Sequence, residues 1–252
     1  KYEVLYIIST LKKTKSCGYD GISVEMIKEC AESLSVPLSY LINLSFSTGV
    51  FPQILKKAMV TPLYKGKGKL NDPSSYRPIS VLSNISKIFE LATKKRLITF
   101  VDKHTLIPEN QLGFLRNKNS IQAVALLVDK VVQSLEKKEK CVGVFLDLAK
   151  AFDSVLHIKL ISRLEKMGIR GLALDLIKSY FDKRTQRVKF GDISEELQIL
   201  WGVPQGSVLG PILFLLFISE FCDIKKTNVY ISAYADDTAI IFSAPTWKAL
   251  NN

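Results

Sequence analysis

Short apolar runs separated by polar stretches predict both helices and strands along this chain. Apolar residues at helical spacing are typical of helices, whereas runs of four to eight β-branched and aromatic residues are typical of buried strands. Helices are predicted over residues 3–13, 23–48 (broken at Pro37 and ended by Gly49), 83–104, 120–138, 157–167 and 171–182, with a further apolar helix after Val208. Strands are predicted over residues 57–64, 142–148, 187–190, 196–200, 229–231 and 239–242. Because helices and strands do not alternate regularly, the pattern favours an α+β fold.

The composition is that of a globular protein with a sizeable core. Hydrophobic residues make up 47% of the 252 residues, a proportion typical of folded domains. The longest apolar run, 14 residues from Val208, contains a glycine and a proline. It is too short for a membrane span of about 20 residues, so we expect no membrane association. Four scattered cysteines and two histidines do not have the spacing of a zinc site and favour reduced thiols in an intracellular protein.

Positive charge is concentrated in the first half of the chain. There are 35 Lys and Arg against 24 Asp and Glu, and residues 1–126 have a net charge of +9 whereas residues 127–252 have +2. Such asymmetry is typical either of a protein that holds a polyanion with one part and processes it with the other, or of a well-solvated surface. The charged run EKKEK predicts a domain boundary near residues 138–141.

Two adjacent carboxylates, Asp236 and Asp237, lie between the last two predicted strands, in the stretch NVYISAYADDTAIIFS. Aspartate is common in turns, but short hairpin turns favour Asn-Gly or Asp-Gly, and this one has no glycine. Neighbouring carboxylates also repel each other unless a cation lies between them. The pair therefore predicts either a turn in open water or a metal site.

A third carboxylate, Asp147, ends the predicted strand within CVGVFLDL. We expect this strand to be buried, and a buried carboxylate is costly unless it is paired, for instance with Lys150, or binds a metal ion. If the strand is a neighbour of the hairpin, Asp147, Asp236 and Asp237 converge. Such a cluster suits two Mg²⁺ ions that promote phosphoryl transfer.

Six groups of motifs follow one another between residues 12 and 243: KKTKSCGYDGIS, PLYKGKGK with SSYRPISVLSNISKIFE, NQLGFLRNKNSIQAV, FLDLAKAFDSV, WGVPQGSVLGPILFLLF and YADD. In order and spacing they resemble the reverse transcriptases of non-LTR (LINE-type) retrotransposons, in particular insect Jockey-like elements. The resemblance implies a right-hand polymerase fold, with fingers over residues 1–138 and a palm over residues 139–252. The palm would be an antiparallel sheet packed on helices, and the thumb would lie outside this stretch.

The resemblance also implies an RNA-directed DNA polymerase that extends a DNA primer on an RNA template with deoxynucleoside triphosphates. Asp147 and Asp236 would bind two Mg²⁺ ions, for which Mn²⁺ is a substitute, and Asp237 would assist. Phe152 stands where the family places an aromatic residue beneath the incoming sugar, although its spacing alone is typical of a core residue. We expect Asp153 to cap a turn or the following helix.

Further residues are candidates for contacts with nucleotides. Gln205 and Gly206 lie in GVPQGSVLGP, where glycine permits close backbone approach to a base pair and the amide can hydrogen-bond a nucleotide. The guanidinium of Arg77 suits a bidentate grip on a triphosphate, and Lys65 would add charge there. The loop KGKGK is no Walker A motif and is, by itself, typical of a solvated basic loop. Arg116 is expected to contact template phosphate.

Two alternatives stay open at this point. An RNA-dependent RNA polymerase shares the carboxylates, but the aromatic residue at position 152 argues against it. A nucleic-acid-binding remnant of a decayed element is disfavoured because Asp147, Asp236 and Asp237 are intact. The chain lacks an initiating Met and ends soon after Asp237, so we expect it to be a piece of a longer protein of the nucleus and cytoplasm. We expect primer extension from that protein and not necessarily from this stretch alone.

Overall fold

The computed structural model describes residues 1–148, 150–224 and 228–250. The helices are α1 (Tyr2–Thr10), α2 (Val24–Glu29), α3 (Ala31–Thr48), α4 (Asn84–Lys103), α5 (Ser120–Glu136), α6 (His157–Lys166), α7 (Leu172–Phe181), α8 (Gly210–Cys222) and α9 (Trp247–Leu250). The strands are β1 (Lys57–Tyr64), β2 (Tyr76–Leu82), β3 (Lys140–Asp147), β4 (Thr185–Phe190), β5 (Asp192–Ile193), β6 (Leu197–Gln198), β7 (Val229–Tyr234) and β8 (Asp237–Ala244). This mixture of helices and strands confirms the predicted mixed class. Within the described ranges, no helix combines the length and apolar character that crossing a membrane requires.

The chain forms two compact units, each from two separate stretches. Unit one comprises residues 1–100 and 152–213, and unit two comprises the described residues of 101–151 and 214–252. The sequence predicts one division near residue 138, which lies inside the first stretch of unit two. The assignment of fingers to residues 1–138 and palm to residues 139–252 stays a prediction.

In unit one, β1 lies between β2, which is antiparallel to it, and β4, which is parallel to it. The sequence pattern does not predict β2, because Pro78 cannot donate a ladder hydrogen bond and argues against a strand. Pro78 lies opposite Pro62 of β1, and β2 is an edge strand. An edge is the place in a sheet where proline is tolerated, which accounts for the missed strand.

Helix α3 continues through Pro37, where the sequence predicts a break, so that prediction is wrong. The interruption lies instead at Cys30, between α2 and α3. A proline inside a helix removes one backbone hydrogen bond, but α3 packs against α1 and α7, and packing overrides local propensity. The predicted end at Gly49 is confirmed, with the left-handed φ of +68° that commonly ends helices.

In unit two, β8 lies between β3 and β7 and is antiparallel to both. Helix α5 packs against all three strands. The helix begins with a capping box, in which the side chain of Asn119 accepts from the Gln122 N–H and the side chain of Gln122 accepts from the Asn119 N–H. The predicted hairpin of β7 and β8 is confirmed, with Ile231, Ala233 and Ile241 buried.

The expectation that β3 is a buried strand is wrong. Phe145 is 73% exposed, and Val142, Val144 and Leu146 are exposed as well. The strand is at the edge of its sheet, with β8 as its neighbour. An edge strand has a partner strand on one side only, so its apolar composition does not by itself ensure burial.

Candidate active site

The strand register of unit two places Asp147 directly opposite Asp237. Asp147 is the last residue of β3 and Asp237 the first of β8, and the two are paired in the antiparallel ladder. Tyr234 pairs with Asp237 across the hairpin, so Ala235 and Asp236 form a two-residue turn. The prediction that the two strands are neighbours is confirmed, and the three carboxylates lie at one end of the sheet.

These carboxylates are accessible. Asp147 and Asp237 are exposed and Asp236 is half-buried, so burial does not force Asp147 to bind a cation. Among the residues that the structure describes, no three or more His, Cys, Asp and Glu side chains are already arranged as a metal-binding group. The chemistry of the donors still fits a hard divalent cation, because Mg²⁺ prefers carboxylate oxygens. The assignment of the three aspartates as metal ligands stays a prediction.

The turn that carries Asp236 is held by Gln111, a residue that the sequence analysis did not select. The side-chain oxygen Oε1 of Gln111 accepts from the Ala235 N–H at 3.1 Å, and its Nε2 donates to the Ala235 carbonyl at 3.3 Å. Gln111 is completely buried. The motif NQLGF marks this segment, but no local pattern shows that the amide contacts a turn 124 residues away.

Arg116 belongs to unit two and is exposed. It follows Gly113 by three residues and lies outside regular secondary structure. Its predicted contact with template phosphate stays a prediction.

In unit one, the loop of residues 202–210 carries Gln205 and Gly206 and lies against β2. The backbone N–H of Ser80 donates to the Gln205 carbonyl at 2.7 Å. Gly206 has φ +104°, and a Cβ at this position would lie 2.7 Å from the Ser80 carbonyl oxygen. Both the conformation and the close approach therefore require glycine.

Phe152 and Asp153 fix the same loop. The Phe152 carbonyl accepts from the Val203 N–H at 2.8 Å, and Gln205 Nε2 donates to the Asp153 carboxylate at 3.3 Å. The position before α6 is occupied by Leu156, which makes no side-chain cap. Asp153 orients the amide of Gln205, and its predicted role as a cap of a turn or of the following helix stays a prediction.

Lys65 and Arg77 lie on the hairpin formed by β1 and β2. Lys65 Nζ donates to the Ser74 carbonyl at 2.7 Å, so its ammonium group helps to close the loop that the sequence marks as basic. Arg77 is exposed, pairs with Leu63 in the ladder, and is three residues from Ser80. The structure thus places Arg77 on the strand that contacts the 202–210 loop.

A buried polar cluster of Glu90, Tyr180 and Arg184 lies next to the 202–210 loop, and the sequence analysis did not identify it. Oε2 of Glu90 accepts from the backbone N–H groups of Val208 at 2.7 Å and Leu209 at 3.0 Å. The guanidinium of Arg184 lies 4.4 Å from the ring centre of Tyr180. Glu90 and Arg184 are completely buried, and Tyr180 is 1% exposed.

Burial dominates the electrostatics of this cluster. It raises the pKa of the Glu90 carboxyl above its usual 4.5, while the charge of Arg184 and the two backbone N–H donors oppose that rise. Burial also raises the pKa of the Tyr180 phenol, again opposed by Arg184. Glu90 lies in the motif KIFE, but its partners are 118 and 119 residues away, so no local signal could have identified them.

The candidate residues divide between the two units. Asp147, Asp236, Asp237 and Arg116 belong to unit two, whereas the candidate nucleotide contacts belong to unit one, namely Lys65, Arg77, Phe152, Gln205 and Gly206. Within unit one, backbone and side-chain hydrogen bonds bring Phe152, Gln205 and Gly206 together. Within unit two, the strand register places the backbones of the three aspartates at one end of the sheet.

Comparison with known proteins places these motifs in a family. The family model described as "Reverse transcriptase (RNA-dependent DNA polymerase)" matches residues 54–248. The RNA-directed DNA polymerase from mobile element jockey of Drosophila melanogaster is 32% identical over 246 residues, covering 95% of this chain and 27% of the relative. The probable RNA-directed DNA polymerase from transposon BS of the same organism is 31% identical, covering 96% of this chain and 27% of the relative. The chain spans about a quarter of the length of these curated relatives.

Solved structures with a similar fold are more distant in sequence. A C-terminally truncated apo telomerase from Candida tropicalis has a TM-score of 0.57 and 15% identity, covering 87% of this chain and 50% of that chain. A partial Cas6-RT-Cas1–Cas2 complex has a TM-score of 0.50 and 17% identity, covering 96% of this chain and 36% of that chain. At this level of identity the likeness concerns the fold alone.

Proposed function

This chain belongs to the reverse transcriptase (RNA-dependent DNA polymerase) family, and we propose that it forms the polymerase core of a longer non-LTR retrotransposon protein that copies RNA into DNA. Its curated relatives are named RNA-directed DNA polymerases of mobile elements. The resemblance to Jockey-like elements is thereby confirmed. The alternatives, an RNA-dependent RNA polymerase and an inactive remnant, are not favoured by these relatives.

The pairing of Asp147 with Asp237, with Asp236 in the adjoining turn, is the observation that carries the proposal. It joins two sequence motifs that are far apart in the chain at one accessible sheet end. A polymerase needs carboxylates at such a place to hold the cations that neutralise the strongly negative phosphoryl group and leaving group.

In this proposal Asp147 and Asp236 hold two Mg²⁺ ions, for which Mn²⁺ can substitute, and Asp237 assists. When bound, the ions supply charge neutralisation at the triphosphate and lower the pKa of the attacking 3′-hydroxyl. The protein's contribution is positional: β3 and β8 fix the lateral spacing of Asp147 and Asp237, and the turn fixes Asp236. Catalysis then rests on orientation and electrostatics, without a covalent protein intermediate.

The nucleotide contacts come from unit one in this proposal. The amide of Gln205 hydrogen-bonds the nucleotide, and the backbone of Gly206, which has no side chain, lies close to it. The ring of Phe152 packs against the sugar. Support comes from the hydrogen bonds that hold Gln205 and the Phe152 backbone in one loop arrangement. Arg77 and Lys65 grip the triphosphate, Arg77 being exposed on the strand that contacts the loop.

The partners proposed for the longer protein are an RNA template, a DNA primer and deoxynucleoside triphosphates, in the nucleus and cytoplasm. The excess positive charge of the first half of the chain supports contact with phosphate. The finer description, with fingers over residues 1–138, a palm over residues 139–252 and a thumb beyond them, is part of the same proposal.

Primer extension by the longer parent protein tests the function. With poly(rA)/oligo(dT), Mg²⁺ and dTTP, Asp236→Asn is expected to abolish extension while leaving primer–template affinity nearly unchanged. Asp129→Asn is the matched control, because it makes the same chemical change on an exposed residue of α5 in the same unit. Wild-type extension rates in Asp236→Asn, or equal losses in the two variants, would contradict the proposal.

A further inference from the structure

The turn at the end of the β7–β8 hairpin has an unfavourable backbone conformation. Ala235 has φ +60°, in the left-handed region that two-residue hairpin turns require and that normally selects Gly, Asn or Asp. An alanine there is strained relative to its preferred region, because its Cβ comes too close to the backbone. Such residues persist where their surroundings hold them in place, and Ala235 immediately precedes Asp236 and Asp237.

The surroundings that hold Ala235 come from the segment of residues 110–113. The Ala233 N–H donates to the Asn110 carbonyl at 2.9 Å, and the Leu112 N–H donates to the Ala233 carbonyl at 2.8 Å. This segment therefore runs beside β7 as a short additional strand, with Gln111 and Ala233 forming a parallel bridge. It ends next to the turn, where a Cβ on Gly113 would collide with the backbone nitrogen of Ala235.

The amide of Gln111 satisfies both backbone polar groups of Ala235. Its Oε1 accepts from the Ala235 N–H and also from the Gly113 N–H at 2.8 Å, while its Nε2 donates to the Ala235 carbonyl. Gln111 is completely buried and Ala235 is 5% exposed, so water does not replace these bonds at low cost. A side chain that both accepts and donates is needed here, and an amide does so from two separate atoms without titrating.

We propose that Gln111 is a positioning residue for nucleotidyl transfer: its buried amide holds Ala235 in the left-handed conformation and thereby sets the direction of the Asp236 and Asp237 carboxylates. The inference rests on the proposed function of these two aspartates. Gln111 does not touch substrate, and it acts through the backbone of the turn. The consequence is specific, because loss of the amide should misplace the carboxylates without altering the residues of unit one.

Three variants of the longer parent protein test this role. Gln111→Leu removes all three hydrogen bonds of the amide at similar volume, and Gln111→Glu keeps the acceptor. Leu112→Ala is the control: Leu112 is 1% exposed and adjacent, and its side chain makes no hydrogen bond to the turn. Gln111→Leu is expected to lower kcat about 100-fold, the effect of a displacement on the order of 1 Å. KM for dTTP and primer–template affinity should stay within about twofold of wild type, since a positioning defect acts mainly on the reaction step.

Gln111→Glu gives a readout that a general loss of stability does not produce. A protonated carboxylic acid, like an amide, has a donor atom and a separate acceptor atom, whereas the ionised form only accepts. The position is completely buried, and burial favours the protonated form. The ratio of variant to wild-type kcat should therefore rise as pH falls from 8 to about 5.5, and hydrogen exchange of the peptide that contains Ala235 should slow towards that of wild type. Gln111→Leu should show neither change.

The possible outcomes separate this inference from the proposed function. If Asp236→Asn is inactive while Gln111→Leu keeps wild-type kcat, the positioning role is overturned and the polymerase function stands. Equal losses of kcat in Gln111→Leu and Leu112→Ala, or a pH-independent Gln111→Glu ratio, also overturn the role. If Asp236→Asn extends primers at the wild-type rate, the proposed function itself fails.

Discussion

The turn of residues 234–237 and the loop of residues 202–210 are each held by hydrogen bonds from one buried side chain, but the two side chains differ in chemical type. Each is held by one completely buried polar side chain from far away in the sequence, Gln111 for the turn and Glu90 for the loop. Gln111 is a neutral amide, whereas Glu90 is a carboxyl close enough to Arg184 for the two to interact electrostatically.

The backbone groups that need partners explain the difference. The turn presents one N–H and one carbonyl, both on Ala235, and an amide complements such a pair. The loop presents two N–H groups, those of Val208 and Leu209, just before the first turn of α8. The N–H groups at the start of a helix lack intrahelical partners, and a carboxylate, which only accepts, suits them. The backbone groups that need partners therefore determine which side chain suits each segment: an amide for the turn and a carboxyl for the loop. Of these two side chains, only the carboxyl titrates.

The largest expected effect is the loss of stability on removing the Glu90 carboxyl. Glu90→Leu leaves the Val208 and Leu209 N–H groups without their acceptor and removes the carboxyl that interacts with Arg184. Leaving a buried polar group without its partner typically costs about 1–3 kcal/mol, and more where a charged group is involved. Gln111→Leu unpairs only neutral groups and should cost about 1–3 kcal/mol. Free energies of unfolding from urea denaturation compare the two, and equal losses would show that the charge of Arg184 does not matter.

Replacing Gly113 or Gly206 by alanine should affect different steps, the first the chemical step and the second nucleotide binding. Gly113→Ala pushes against Ala235, and Gly206→Ala meets the Ser80 carbonyl at an unfavourable φ. We expect both to lower kcat/KM about 100-fold, the first through kcat and the second through KM for the nucleotide. Steady-state primer extension measures both constants in the parent protein.

Gly143→Ala is the control for this pair. Its Cβ would lie 3.4 Å from a flexible methyl group of Ile241, so activity should stay near wild type. If Gly113→Ala and Gly206→Ala changed the same constant, the two regions would not have distinct roles.

Truncation of Phe152 should change the choice of sugar without affecting the turn. The Phe152 carbonyl holds Val203 through the backbone, so Phe152→Ala keeps that bond and removes only the ring. If the ring lies beneath the sugar, a ribose hydroxyl clashes with it and is left without a partner, and discrimination against ribonucleotides of about 10- to 100-fold is expected. The variant should lose this discrimination in single-nucleotide extension with each sugar. An unchanged preference would place Phe152 among the core residues.

The elements that local pattern determines were predictable from the sequence. Two apolar runs around a polar pair predict the β7–β8 hairpin. Once β3 pairs with β8, Asp147 lies next to Asp237. The strand β2 was missed because Pro78 breaks the local pattern. Whether β3 is buried depends on which elements cover it, and its apolar composition gave the wrong answer.

The supports of the two candidate loops were not predictable in the same way. Gln111 and Glu90 lie inside motifs that the resemblance marks, but their hydrogen bonds span 118 to 124 residues. A glutamine or glutamate in an amphipathic segment gives the same local sequence pattern whether its side chain is exposed or buried. Their roles follow only from the tertiary contacts.

The smallest expected effect is the pH dependence that Glu90 alone contributes. Because burial raises the pKa of Glu90 above 4.5, the folded state keeps a proton that the unfolded state has released once the pH exceeds 4.5. This contribution to stability is fully present below pH 4.5 and is lost as the pH rises through the raised pKa, by about 1.4 kcal/mol for each pKa unit of the rise. Arg184 and Tyr180 are the charged and titratable side chains of the cluster, and Tyr180 stays neutral in this range because burial raises its pKa. Glu90→Gln, which cannot titrate, should therefore lack this decline, whereas Gln111→Leu should be less stable than wild type at every pH with the wild-type slope. Urea denaturation at several pH values between 4 and 8 measures the three curves. If the Glu90→Gln curve ran parallel to wild type, Glu90 would not be the titrating support, and the contrast between a neutral turn and a titrating loop would be wrong.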